Sequence, residues 1–141
     1  MCSAHAAVRH LLNGMQEKDV ITVIDMEAGL EHLSRGTDRH VDTLLVVAEP
    51  YFKALETARR CTELGRELKI PRVTAVANKF RSPDELEAVR KYAAAHKIPV
   101  IGEVPFEEKI QNADLSGAAL TLGEPNAAVA AIERIALELG L

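Results

Sequence analysis

Four short apolar runs, rich in β-branched residues, punctuate the chain: VITVID (20–25), DTLLVVAE (42–49), RVTAVANK (72–79) and PVIGEV (99–104). They are continuous rather than alternating, which predicts strands covered on both faces, as in a parallel sheet. Between them the period changes to that of a helix. Phe52, Leu55, Ala58, Cys61, Leu64 and Leu68 recur at three and four residues and predict one inward stripe. Ser82, Pro83 and Glu85 supply an N-cap, a first-turn proline and the acid of a capping box. Pro125 marks the start of a last helix whose Val129, Ile132, Ile135 and Leu139 are predicted to face the core, and residues 5–16 predict an opening helix. Strand and helix thus alternate, which predicts an α/β fold: a doubly wound, mostly parallel sheet with right-handed crossovers.

The 141 residues suit one domain, residues 1–141, large enough to bury a core. A net charge of −4 argues against nucleic acid or an anionic membrane as a partner. No segment approaches the length of a bilayer span and the N-terminus lacks a signal-peptide core, so a cytoplasmic protein is expected. Two cysteines are too few for a secreted disulfide framework. Cys61, on the helical stripe, reads as a small core hydrophobe, whereas Cys2 is terminal and its thiolate is free to bind metal or oxidise. One thiol cannot close a metal site, so a site at Cys2 would be shared between chains. His5, His10, His32 and His40 show no metal-ligand spacing.

In open parallel sheets ligands sit at the carboxyl ends of the strands. Here those ends carry Asp25, Glu49-Pro50, Asn78-Lys79 and Pro105-Phe106. An acid such as Asp25 either caps the following turn or holds a magnesium-bound water. Gly29, four residues on, could offer its backbone N–H to a terminal phosphate. Asn78 pairs a donor with an acceptor, as the reading of a base edge requires, and the Lys79 stem could brace a neighbouring loop; a solvated strand end is the plainer alternative. The segment 30–41, LEHLSRGTDRHV, is the longest polar stretch and predicts a loop with a short helix.

The stretches VITVIDMEAGLEHLSRGT, VDTLLVVAEPYFKALETARR, VANK and IGEVPFEEKIQNADLSG together resemble the carbon monoxide dehydrogenase maturation ATPases. Those belong to the MinD/ParA-like P-loop proteins, with the nitrogenase iron protein. The resemblance covers almost the whole chain, and D-x-E-A-G-x-E-H-x-x-R-G-T is its specific part. It implies a Walker B role for Asp25 and a switch II role for Glu27 to Gly29. It further implies that Asn78 contacts adenine with Lys79 beside it, that the Val104-Pro105-Phe106 loop covers the base, and that ATP or ADP binds with magnesium. MCSAHAAVRHLL resembles the sequence from the second cysteine of that family's C-x-C motif. This makes Cys2 a candidate ligand for nickel or zinc in a dimer, with a metalloenzyme as client.

The glycine-rich phosphate loop of that family has no counterpart here. No G-x-x-x-x-G-K-[ST] occurs in the chain, and its eight glycines are dispersed. The expectation is therefore a P-loop-like but truncated domain, the C-terminal part, without the first strand and phosphate loop. In the family that strand lies beside the one ending at Asp25. Leaving it out forces its neighbours to pair directly or to keep open edges, which invites a homodimer or pairing with a separate N-terminal half.

Overall fold

The computed structural model describes residues 21–26, 41–119 and 126–141. Among them three strands form one parallel sheet in the order β1-β2-β3: β1 (Thr43–Ala48), β2 (Arg72–Phe80) and β3 (Val100–Pro105). α1 (Phe52–Glu67) connects β1 to β2 and α2 (Pro83–Ala95) connects β2 to β3; α3 (Glu108–Ser116) and α4 (Ala127–Leu139) follow. β1 and β2 pair without interruption from Thr43 opposite Arg72 to Ala48 opposite Ala77.

The continuous apolar runs are explained by two cores, one on each face of this sheet. Val46, Ala48, Ala75 and Ala77 pack with Leu55, Ala58 and Cys61 of α1 and with Val89 and Ala93 of α2. The alternate residues Val76 and Val104 pack on the other face with Ala128, Ala131 and Ile135 of α4. The sheet is thus doubly wound, as its sequence pattern requires. Both helix layers approach closely because glycine lies at each contact. A Cβ at Gly65 would stand 2.7 Å from Leu44 Cδ2, and one at Gly102 would overlap the Ile135 side chain.

Local signals set the helix ends. Ser82 Oγ accepts from the Glu85 N–H at 3.2 Å, and Glu85 Oε2 accepts from the Arg81 N–H, one residue before the cap, at 2.6 Å. Asn126 begins α4 by accepting from the N–H groups of Ala128 and Val129.

Three expectations need correction. The run 20–25 is not a strand over its described part: residues 21–26 carry no regular structure, and Ile21 and Val23 are 63% and 80% exposed. A strand needs a ladder partner as well as β-forming residues, and among the described residues none is placed beside this one. Phe52, assigned to the inward stripe, is exposed at the first turn of α1, with its ring edge-on to Tyr92 at 6.4 Å. Ile132 is also exposed, because α4 faces the sheet through Ala128, Ala131 and Ile135 instead. Small residues let that helix sit lower on the sheet than a stripe centred on Ile132 would. The opening helix, residues 30–40 and Pro125 lie outside the described residues.

Candidate functional site

The carboxyl ends of β1, β2 and β3 meet at one edge of the sheet, and the end of β2 is irregular. Asn78 stands opposite Val104 and Phe80 opposite Pro105, so the register slips by one residue at Lys79. Lys79 itself adopts φ 59°, in the left-handed region that a side chain makes costly. The slip is a bulge, a device that re-aims side chains at the end of a strand. From it Lys79 Nζ reaches Glu49 Oε1 at 3.0 Å and ties the end of β2 to the end of β1. Both side chains of this pair are exposed to solvent.

Across β2, the Phe106 N–H donates to the Phe80 carbonyl at 2.9 Å and anchors the chain leaving β3. A cavity of about 470 Å³ opens between Phe80–Pro83 and Leu86 on one side and Pro105–Phe106 on the other. It is a hollow open to solvent, where a flat ring could lie against the wall rather than be enclosed. The Arg81 guanidinium lies over the Phe106 ring, its Cζ 3.4 Å from the ring centroid. Pro105 and Phe106 thus line the cavity, whereas Asn78, Lys79 and Val104 do not: they stand on the paired strand ends, Val104 buried in the core under α4.

Arg81 is the residue that the sequence did not reveal. It follows the strand end by one position, in a stretch where an arginine reads as ordinary solvated surface. It stands just past the bulge at Lys79, with its backbone N–H held by Glu85 and its guanidinium on the Phe106 ring. Asp25 is described and exposed, outside any strand, while Glu27, Gly29 and Cys2 lie outside the described residues. Among the described residues no group of three or more His, Cys, Asp or Glu side chains could hold a metal ion. Cys61 is buried, and burial pushes its thiol up from the ordinary cysteine range, as suits a core residue.

A second hollow, of about 530 Å³, lies between α2, β3 and α4. It holds Arg134 and the Arg90–Glu103 ion pair, whose two hydrogen bonds measure 2.7 and 2.8 Å and hold the Arg90 guanidinium above its usual range. None of the sequence candidates lines it. No helix among the described residues is long and apolar enough to cross a membrane.

No family model matches the chain. Known proteins and structures do. The chain is 38% identical over 118 residues to the carbon monoxide dehydrogenase accessory protein CooC of Rhodospirillum rubrum, a match spanning 83% of this chain and 44% of that protein. It is 36% identical over 138 residues to an uncharacterised ATP-binding protein of Methanocaldococcus jannaschii, spanning 96% of this chain and 54% of the relative. The chain spans about half the length of these curated relatives. In fold it is similar to the MinD cell division protein of Aquifex aeolicus, with a TM-score of 0.78 over 96% of this chain and 60% of that one at 19% identity. The parallel sheet with helices on both faces is thus the MinD fold, and at 38% identity over 83% of its length the chain belongs to the family of CooC and its ATP-binding relatives.

Proposed function

We propose that this chain forms the base-binding and switch portion of a nucleotide-dependent ATPase of the metallochaperone type, acting in maturation of a metalloenzyme. The observation that carries the reading is the joined strand ends: Asn78 in register with Val104, and the Pro105-Phe106 turn walling a cavity beside them. In this reading Asn78 would supply an amide to read a base edge and Phe106 an aromatic ring to stack on it. Similarity to ATP-binding proteins supports adenine as the base. Similarity to the carbon monoxide dehydrogenase accessory protein CooC supports that enzyme as the client. Nickel as cargo, with Cys2 as one ligand of a site shared in a dimer, would follow from the resemblance of the stretch MCSAHAAVRHLL alone. Asp25 would hold the magnesium water and Glu27 to Gly29 would respond to the terminal phosphate. The cytoplasm is the compartment that fits so few cysteines.

A second reading is favoured by a specific observation, the lack of a G-x-x-x-x-G-K-[ST] loop in this sequence. Phosphoryl transfer rests almost wholly on positioning and charge neutralisation, and that loop supplies both. By itself the chain would then be a non-catalytic binding module, or the half of an ATPase that a partner completes.

Titration of the purified chain with ADP and GDP, alongside an ATPase assay, tests both. Expected is weak binding that prefers ADP, a preference lost in Asn78→Ala, and no turnover of magnesium-ATP. Equal binding of ADP and GDP would remove the base-reading role of Asn78. Turnover that disappears in Asp25→Asn would overturn the second reading.

A further inference from the structure

In the base site just proposed, one face of the Phe106 ring is already taken. The guanidinium of Arg81 covers it, with Cζ 3.4 Å from the ring centroid. That separation is a stacking contact and leaves no room for a second planar group between them. Arg81 is exposed, and among the described residues its guanidinium has no carboxylate within ion-pair distance. Its backbone N–H, by contrast, is held by Glu85 Oε2 at 2.6 Å. The main chain is therefore fixed while, among the described residues, the ring alone retains the side chain, which can leave without disturbing the capping contact.

Resting on the adenine-site reading, we infer that Arg81 determines the affinity of this site by competing with the base for one face of Phe106. A planar, electron-rich heteroaromatic ring and a guanidinium use the same π-face, so each must displace the other. Base binding then carries a cost equal to the cation–π contact it breaks, and the apparent affinity falls by the fraction of protein in which the ring is covered. Arg81 is a positioning residue and touches no reacting atom.

Adenosine is the probe to use, because it carries no phosphate and so does not register the loss of a cation as lost attraction to charge. Its dissociation constant would be measured by ligand-observed NMR for the wild type, Arg81→Ala, Arg81→Lys, Phe106→Leu and the Arg81→Ala/Phe106→Leu double variant. Removal of an exposed cation–π contact should tighten binding roughly two- to fivefold in Arg81→Ala. Arg81→Lys, which keeps the charge but loses the planar stack, should fall between. Loss of the ring in Phe106→Leu should weaken binding about fivefold or more. In the Phe106→Leu background, Arg81→Ala should change nothing, a non-additivity that a merely structural role for Arg81 would not produce. Weaker or unchanged binding by Arg81→Ala, or a gain that persists without the ring, overturns the inference while leaving the adenine site standing. Absence of adenosine binding in every variant, with each folded by circular dichroism, overturns both.

Discussion

Lys79 has a backbone conformation that Lys69 and Lys97 share, yet only at Lys79 does it lack an ordinary cause. Lys69 and Lys97 directly follow the C-cap residues of α1 and α2, Leu68 and His96, where a left-handed residue is the usual way to end a helix. Lys79 stands inside β2, and a side chain held there costs on the order of 1–3 kcal/mol, a strain that persists where the surroundings over-determine it. Glu49 on one side and the Phe80–Phe106 backbone bond on the other supply that restraint. A second residue-scale feature is structural and titrates. Glu56 accepts hydrogen bonds from Arg59, Tyr92 and Arg60, and these hold its carboxyl well below the usual carboxylate range, Arg59 contributing most. The sign follows from a lowered folded-state pKa. The contribution of Glu56 is complete above the unfolded value near 4.5 and is lost as the pH falls from there toward the lowered one. Urea unfolding of Glu56→Gln against wild type should show a stability difference that is constant at neutral pH and shrinks below about pH 4.5. A difference that does not change with acid would contradict the assignment. Of the candidate site, Asn78, Lys79 and Phe106 were legible as strand-end residues of suitable chemistry. The bulge was not, since neither glycine nor a left-handed asparagine marks position 79, and without the bulge nothing singles out Arg81.

At the scale of elements, α4 shows how periodicity can give the right helix and the wrong face. Val129, Ile132, Ile135 and Leu139 are the large apolar residues, and a stripe drawn through them puts Ile132 at its centre. The buried stripe is Ala128, Ala131 and Ile135, rotated away from Ile132, which is 52% exposed. The deciding residue is not on the helix at all. Gly102 in β3 has no side chain, so Ile135 can press onto the strand backbone, and the alanines then fit between helix and sheet. Such complementarity joins positions 33 residues apart, and no local pattern carries it. Two substitutions separate the faces. Gly102→Ala places a methyl group within the Ile135 side chain and should destabilise by about 1–3 kcal/mol, as overpacking does. Ile132→Lys, on the outward face, should stay within about 0.5 kcal/mol of wild type. Denaturant midpoints measure both, and a large loss in Ile132→Lys would mean that this face is covered in the native protein.

For the molecule as a whole, the question is what lies beside β1. Among the described residues β1 has a neighbour on one edge only, β2, and on the face shared with α4 its Val47 is 58% exposed. Leu45 packs into that second core but α4 covers chiefly β3, so the core thins toward β1. The segment 21–26 is equally without a partner, with Ile21 and Val23 turned to solvent. Among the described residues, one edge of β1 and the apolar segment 21–26 are thus left without a strand neighbour, in a chain that spans about half of its curated relatives. The sequence announced both as strands needing cover on each face; it could not announce where the cover comes from, since pairing is decided by whatever polypeptide is present. Open strand edges are templates for association, and a charge placed on one is the usual way that proteins blunt it. The purified chain should therefore associate as its concentration rises, with scattering mass increasing accordingly. Val47→Lys should remain monomeric while keeping its urea midpoint, because an exposed valine contributes little to folding. A wild-type chain that stays monodisperse and monomeric at high concentration would remove the case for pairing through β1. Association that persists unchanged in Val47→Lys would instead move the contact to another surface, with the exposed Tyr51 and Phe52 beyond the end of β1 as the next positions to charge.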